Sequence, residues 1–452
     1  MDGISASVIS VVIIAFACMI SAPADAQVFD PLEYAEEDLV ARQARLLQKM
    51  LREPDNMQLA FEYATVSVEL EDFEAAIGTF ERMLVFAPDL AQVRLELGVL
   101  YFRLGSFDTA RVHLEVVREE AAANSELGDK ASTYLEAIEK AEEPAKFGGA
   151  IVVGGRYQTN ANAGPGDSLL NLNGFPVLLN QDASGTPDWN AFISGGVHGS
   201  LDLGNQGDLF ETDLLFYGSR YADIHRLDNE LAELNFGPTF NMARFDLYNA
   251  RLGVYGIVGG ARLDNENYYG QLGGGAKFEY LPDIKSSLNA RAEIRRRWFY
   301  DSFNYPTVSD RDGYQMLGKL TYFYQLTEML QLRAQVMGDY ESAEVGYEES
   351  WELGVVAGGT VTFASPINTL NYPWAFDLEA GYIRREYADP DNFNSFTQAE
   401  RDNEFWLRGV LTLLVREDVA FAFTSEFHRL QSNYETRQYS NGLGMVSVVK
   451  TF

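Results

Sequence analysis

Val419-Ala420-Phe421-Ala422-Phe423-Thr424-Ser425-Glu426-Phe427-His428 is two surfaces folded into one segment. Val419, Phe421, Phe423 and Phe427 fall on one side of an extended chain, and Ala420, Ala422, Thr424, Glu426 and His428 on the other. A period of two is the signature of a β-strand. The segment before it behaves alike: Phe405, Leu407, Leu411, Leu413 and Val415 oppose Glu404, Arg408 and Thr412. Over 285–298, Leu288, Ala290, Ala292, Ile294 and Trp298 oppose Asn289, Arg291, Glu293, Arg295 and Arg297. A face so charged cannot point into lipid, but it can line a watery lumen where opposite charges pair. Arg291, Glu293, Arg295, Arg297, Glu404, Arg408 and Glu426 are therefore the candidate lumen-lining residues.

Outward from these segments, the chain from Phe147 to Phe452 divides into fourteen stretches of alternating pattern. Their approximate spans are 147–162, 189–204, 208–222, 229–243, 247–263, 267–281, 285–300, 312–326, 329–342, 350–364, 374–388, 402–416, 418–432 and 439–452. The number is even, and each stretch is long enough to cross a bilayer at a tilt. Long odd-numbered connections (163–188, 301–311, 389–401) are followed by tight even ones at Asn205-Gln206-Gly207, Leu326-Thr327-Glu328 and Glu417. The tenth, at 365–373, is the exception. This alternation predicts a barrel with both termini on the periplasmic side. The last segment closes on Val446, Val448 and Phe452, the aromatic-ended strand expected to be read by the barrel assembly machinery. Lys450 interrupts its lipid-facing row, where a rim lysine can snorkel to the interface.

Composition agrees without deciding. Aromatics make up 13% of the 452 residues, with 24 Tyr and 29 Phe, which suits aromatic girdles but also a soluble sandwich. After the N-terminus no apolar run reaches the roughly 18 residues of a membrane helix. A net charge of −31 argues against nucleic acid, which needs a basic footprint. Residues 1–26 read as a signal peptide: an apolar run from Ile9 to Ile20, then the A-x-A site Ala24-Asp25-Ala26, although no Lys or Arg precedes the run. Ala15-Phe16-Ala17-Cys18 is a poor lipobox, and cleavage at Ala26 leaves a mature chain without cysteine.

Residues 27–145 read as a helical domain with an internal repeat. Phe73 and Phe107, Ala76 and Ala110, Ala64 and Gly98, and Pro54 and Pro88 are all separated by the tetratricopeptide period of 34. Ala64, Gly98, Ala76 and Ala110 are small where the helices of a repeat cross, and Pro54 and Pro88 stop a helix before the next repeat. The pattern predicts a lone helix at 38–52, repeats at 57–88 and 91–120, and a closing helix at 125–142. Either a plain helical bundle or a concave peptide-binding surface fits this pattern. Pro144 ends it, so residues 146–452 form the barrel. The fold expected is α + β multidomain, with N-terminal α-helical tetratricopeptide repeats followed by a 14-stranded antiparallel transmembrane β-barrel.

This layout, with Gly154-Gly155-Arg156-Tyr157-Gln158-Thr159-Asn160-Ala161-Asn162-Ala163-Gly164-Pro165 at the first strand and its exit, resembles the surface lipoprotein assembly modifier (Slam) family. Asn160 and Asn162 suit the exit into a loop, and Gly164-Pro165 turns the chain. The resemblance implies translocation of client lipoproteins or secreted proteins through the cell outer membrane, with the N-terminal domain in the periplasm. The repeat domain is short for that family.

No enzyme chemistry or cofactor is expected. His113, His198, His225 and His428 stand in no metal-ligand spacing. The glycine-rich run Gly270-Gln271-Leu272-Gly273-Gly274-Gly275-Ala276-Lys277 lacks the P-loop pattern, and nothing selects a serine to pair with His198 or His428. Arg295-Arg296-Arg297 reads as two lumen arginines and one at the rim, each paired with carboxylates; an electropositive stripe that guides an acidic client or an anion is the alternative. Three functions stay open: a protein-secretion translocon, a polysaccharide export porin, and a passive porin or receptor.

Overall fold

The structure is a computed structural model that describes residues 33–120, 125–180, 183–367, 370 and 372–452. The expected signal peptide and Cys18 lie outside these residues. The chain separates into two compact units that meet at Pro144 and Ala145.

Among the described residues the first unit holds six helices: α1 (Glu33–Arg52), α2 (Met57–Glu69), α3 (Phe73–Phe86), α4 (Ala91–Arg103), α5 (Phe107–Glu120) and α6 (Glu126–Glu142). Starts recur 34 residues apart, Met57 with Ala91 and Phe73 with Phe107. The joints recur too: α2 and α4 end on Leu70 and Leu104, and each is followed by a left-handed residue, Glu71 and Gly105. Pro54 and Pro88 lie just past the ends of α1 and α3. The side chains of Asn56, Asp72 and Ser125 cap α2, α3 and α6 by accepting from Leu59, Ala75 and Gly128 backbone N–H groups. Ala64, Ala76 and Ala110 are completely buried. A Cβ on Gly98 would lie 2.7 Å from Leu114 Cγ, so the buried Leu114 side chain of α5 fills the space a side chain on α4 would take.

Among the described residues the second unit contains sixteen strands: β1 (Ala145–Gln158), β2 (Leu169–Leu172), β3 (Phe175–Leu178), β4 (Asp188–Asp202), β5 (Leu209–Tyr221), β6 (Asn229–Asn241), β7 (Ala250–Leu263), β8 (Glu266–Asp283), β9 (Ser286–Phe299), β10 (Gly313–Thr327), β11 (Leu330–Glu341), β12 (Ser350–Phe363), β13 (Trp374–Tyr387), β14 (Arg401–Arg416), β15 (Val419–Ser432) and β16 (Tyr439–Thr451). Fourteen of them close an antiparallel barrel, in which β1 pairs with both β4 and β16. The other two, β2 and β3, form a separate hairpin inside the first connection, a feature the alternation pattern did not predict.

Burial in this barrel is inverted relative to a soluble sheet. On β15, Phe421, Phe423 and Phe427 are exposed while Ala420, Ala422, Thr424 and His428 are buried. Val153, Leu272, Leu353, Leu407 and Val446 continue the exposed apolar surface around the cylinder. Exposed aromatics sit near both rims, with Trp189, Trp298, Tyr314 and Trp351 at one and Phe147, Phe210, Phe240 and Phe376 at the other. A closed ladder with an apolar exterior and aromatic girdles is a membrane-spanning barrel of outer-membrane type. Among the described residues no helix is long and apolar enough to cross a membrane.

The connections depart from strict alternation. On the rim away from Ala145 and Phe452 they span 159–187, 222–228, 264–265, 300–312, 342–349, 388–400 and 433–438. On the other rim they span 203–208, 242–249, 284–285, 328–329, 364–373 and 417–418. The fifth, only Asp264-Asn265, therefore joins the tenth as an exception, and the fourth outruns the third. Asp264 and Asn265 both take positive φ, which is the two-residue turn that matches strand twist. Lys450 has a nearer partner than the interface, since its ammonium pairs with Asp418 in the twelfth connection.

Gly98→Val places a branched side chain against Leu114 and should destabilise the helical unit by about 1–3 kcal/mol, the usual cost of overpacking. Urea titration of the full-length protein in detergent, followed by helix ellipticity, measures this; an unchanged midpoint contradicts that packing.

Candidate functional site

Strand parity puts one charged row after another on the inner face, and staggered registers bring distant residues together. Arg295, from β9, donates to Glu233 of β6 at 2.7 Å and also pairs with Glu293 on its own strand. Glu233 additionally accepts from Gln271 at 2.7 Å, and Glu293 from the Tyr255 hydroxyl at 2.7 Å. Arg297 meets Glu341 of β11 at 2.7 Å. Arg296 has opposite parity: it lies outside, 4.0 Å from Asp312 and over the Trp298 and Tyr314 rings.

Across the barrel, Arg408 donates to Glu426 at 2.6 Å and reaches Glu379 at 3.5 Å. Glu379 also holds Arg333, which reaches Asp377 at 3.5 Å. Nearer the upper rim, the one away from Ala145 and Phe452 (the lower rim being theirs), Arg385 pairs with Glu352, Asp402 and Glu404, and His428 Nε2 lies 2.8 Å from Glu404. Arg408, Glu379 and Glu404 are almost fully buried. Each is an ion that is costly to desolvate and is tolerable only inside a satisfied network.

All seven sequence-derived candidates therefore lie on this inner face. The pattern of their own strands did not reveal Glu233, Glu341, Arg333, Glu379, Arg385 and Glu352. The available signal was their parity on β6, β11, β12 and β13; partner choice depended on register. Of the two imidazoles weighed as bases, His198 Nδ1 lies 2.7 Å from Asp213 and His428 is held by Glu404; among the described residues no serine hydrogen-bonds either. No cluster among the described residues could hold a metal ion. In the glycine-rich run, a Cβ on Gly275 would fall 2.7 Å from the Tyr255 ring, so this glycine seats an aromatic against the wall.

The upper rim is tied into a ring by its own loops. Asn160 and Asn162, the pair at the exit of β1, each bridge the first connection: Asn160 exchanges hydrogen bonds with Gly164, and Asn162 with Ser184 and Thr186. The backbone N–H of Asp264 donates to Asp228 O at 2.8 Å, and Tyr305 Oη donates to Arg226 O at 2.8 Å. Tyr347 Oη donates to Asp310 at 2.7 Å, and Asp389 N to Gly346 O at 3.0 Å. Asp391 N donates to Tyr434 Oη, Asn171 N to Glu435, and Asn173 Nδ2 to Asn392 O. The Asp310 carboxylate pushes the Tyr347 phenol up to about 12, chiefly through that hydrogen bond. On the lower rim, the Arg244 guanidinium and the Asn241 amide hold the Asp208 carboxyl below its usual range.

In the helical unit, Tyr101 stacks on His113 and donates to Glu81 at 2.6 Å. Burial first, then the Arg94 charge, lowers the His113 pKa. Val85, Phe86, Leu104 and Val112 are apolar and exposed.

Fold and site thus define a class, a membrane-spanning β-barrel of outer-membrane type with an ion-paired interior, preceded in the chain by helical hairpins. No family model and no curated protein matches the chain. Among solved structures it is similar to the outer membrane channel DcaP of Acinetobacter baumannii, with 9% identity, 68% of this chain and 97% of that chain covered, and a TM-score of 0.39. It is also similar to a bacterial polysaccharide outer membrane secretin, with 9% identity, 67% and 98% coverage and a TM-score of 0.37. A third likeness is to SycD, the type III secretion translocator chaperone of Yersinia enterocolitica, with 14% identity, 24% and 78% coverage and a TM-score of 0.23.

Two outcomes follow. Glu379→Ala removes the carboxylate that buried Arg333 and Arg408 share, leaves them Asp377 and Glu426, and should cost about 1–3 kcal/mol. The readout is the temperature at which the barrel loses compact migration in detergent gels, and a shift no larger than that of Glu386→Ala, at the half-buried pair with Arg384, contradicts the network. Because His113 is easier to protonate when unfolded, stability of the helical unit should be flat above the unfolded imidazole pKa of about 6.5 and fall as pH drops through it. His113→Phe keeps the stack on Tyr101 and should remove that part of the slope in urea melts; an unaltered slope assigns it elsewhere.

Proposed function

We propose that this chain is an outer-membrane translocon that moves client proteins, surface lipoproteins or small secreted proteins, from the periplasm to the cell surface. The observation that carries the reading is the joining, in one chain, of helical hairpins with exposed apolar residues to a barrel whose inner wall is charged. A passive pore has no physical need of such a unit, whereas exposed Val85, Phe86, Leu104 and Val112 offer an incoming polypeptide apolar contacts. In this reading the 34-residue hairpins act as tetratricopeptide-type repeats in the periplasm, where the short turns of the lower rim also lie. The inner-face charges, Arg291, Glu293, Arg295, Arg297, Glu404, Arg408 and Glu426 among them, line the transport path. Barrel assembly machinery and outer-membrane lipids are its remaining partners.

Deleting the gene in its host and comparing the proteins that protease shaves from intact cells tests this. Loss of one or a few surface proteins, restored by the full chain and poorly by Val85→Glu/Phe86→Glu, is the expected result. An unchanged set of surface proteins removes the translocon reading; loss of surface polysaccharide instead points to a sugar export porin, and altered small-solute permeability alone to a passive pore.

A further inference from the structure

Three cations stand side by side on the inner wall. In the ladder between β8 and β9, Lys277 lies directly opposite Arg291, and in the ladder between β9 and β10, Arg291 lies directly opposite Lys319. Residues paired in this way share a face, with Cβ atoms about 4.5–5.5 Å apart, and like charges so placed repel one another. Elsewhere on this wall Arg295, Arg333, Arg385 and Arg408 are met by carboxylates, and buried Arg156 donates to Asn190 and Tyr217.

Along this row the compensation runs out in order. Lys277 is satisfied, with its ammonium 2.8 Å from Glu211. Among the described residues Arg291 has one ion pair, with Glu293 at 3.5 Å, and lies over the Tyr255 ring; that carboxylate is already held by Arg295 and Tyr255. Its side chain stays 43% exposed, although it faces inward. Lys319 makes no hydrogen bond or ion pair among the described residues. The next residue across the ladder is Met337, which offers no charge. Nearby carboxylates belong to others: Asp213 faces His198 at 2.7 Å, and Glu379 is shared by Arg333 and Arg408.

We propose that Arg291 and Lys319 form an oxyanion-binding step in the barrel wall, which takes a carboxylate or phosphate group in transit. A planar guanidinium beside an ammonium supplies several donors to one oxyanion, and such charge-assisted bonds are the strong ones. A bound anion also relieves the repulsion along the row. The site is therefore distinct from the Arg295-Arg296-Arg297 run, whose members are ion-paired or lie outside. This goes beyond the translocon reading: a small free anion and an acidic stretch of polypeptide present the same chemistry.

The experiment uses the full chain in detergent and in planar bilayers, with inorganic phosphate as the probe. Calorimetry should detect phosphate binding to the native protein, weakened about tenfold or more in Arg291→Gln/Lys319→Gln, as loss of two charge-assisted contacts implies. Arg296→Gln, at the outer-face arginine, should bind like the native protein. The double variant should keep native heat-modifiable migration, since it removes repulsion and no ion pair but that at 3.5 Å. Equal affinity in native protein and double variant, or no binding to either, overturns the proposal. In the bilayers, a short poly-glutamate peptide that competes with phosphate at lower concentration assigns the step to polypeptide; phosphate block without such competition assigns it to small anions. Calorimetry does not depend on conduction or on clients, so its outcome is separate from the fate of the translocon reading.

Discussion

Lipid offers the backbone no hydrogen bonds, and from that constraint the rest of the second unit follows. An unpaired N–H or C=O in the hydrocarbon layer costs several kcal/mol, so a sheet can enter it only without edges. Here the closure is made by β1, which pairs along Ala145–Gln158 with β4 and along Ala150–Gln158 with β16. The last residue takes part: Gly149 and Phe452 exchange backbone hydrogen bonds at 2.9 and 3.0 Å. Once the cylinder closes, period-two alternation has only one reading, with the apolar face outward. The same Phe421 and Phe423 that would make the core of a soluble sandwich become its exterior.

Closure also turns every polar side chain of the alternate face toward one confined space. In so enclosed a place an unpaired charge is expensive and a paired one tolerable, so the inner wall organises itself as clusters of arginine and carboxylate. These pairs are weak evidence of added stability, since apolar residues of like size often serve as well. Their value lies in fixing register and in keeping the face wet. Arg295, which joins β9 to Glu233 on β6 across two intervening strands, is a contact that a one-residue slip would destroy.

The limits of the sequence follow from the same geometry. Alternation is local, so the fourteen strands and the inward placement of Arg291, Glu293, Arg295, Arg297, Glu404, Arg408 and Glu426 could be read from neighbours two residues apart. The 34-residue recurrence of Ala64 with Gly98 and Ala76 with Ala110 was legible for the same reason. Partner choice was not, because Arg333 and Glu379 are 46 residues apart and meet only through the registers of β11, β12 and β13. Loop length was a poorer guide than strand pattern. It is set by what a loop must touch: 300–312 is long because Tyr305 and Asp310 each tie down another loop through a side chain, while Asp264-Asn265 turns in two residues and meets Asp228 through its backbone. The β2–β3 hairpin gave little signal in so short a segment, yet Asn173 at its turn bonds Asn392 and Phe396 of a distant loop.

The two rims consequently differ in kind. On the upper rim, hydrogen bonds run from loop to loop, so displacing one loop means breaking contacts with its neighbours. On the lower rim, three connections are two-residue turns, at 284–285, 328–329 and 417–418. Between the rims the inner wall carries its charges in the clusters described above. There, charges that are mutually neutralised present little net field beyond their own cluster, and one that is not projects its field across a low-dielectric enclosure. A chain of net charge −31 can therefore carry a locally positive step. What a passing group meets is the residual charge of the wall at that level, not the sum over the molecule.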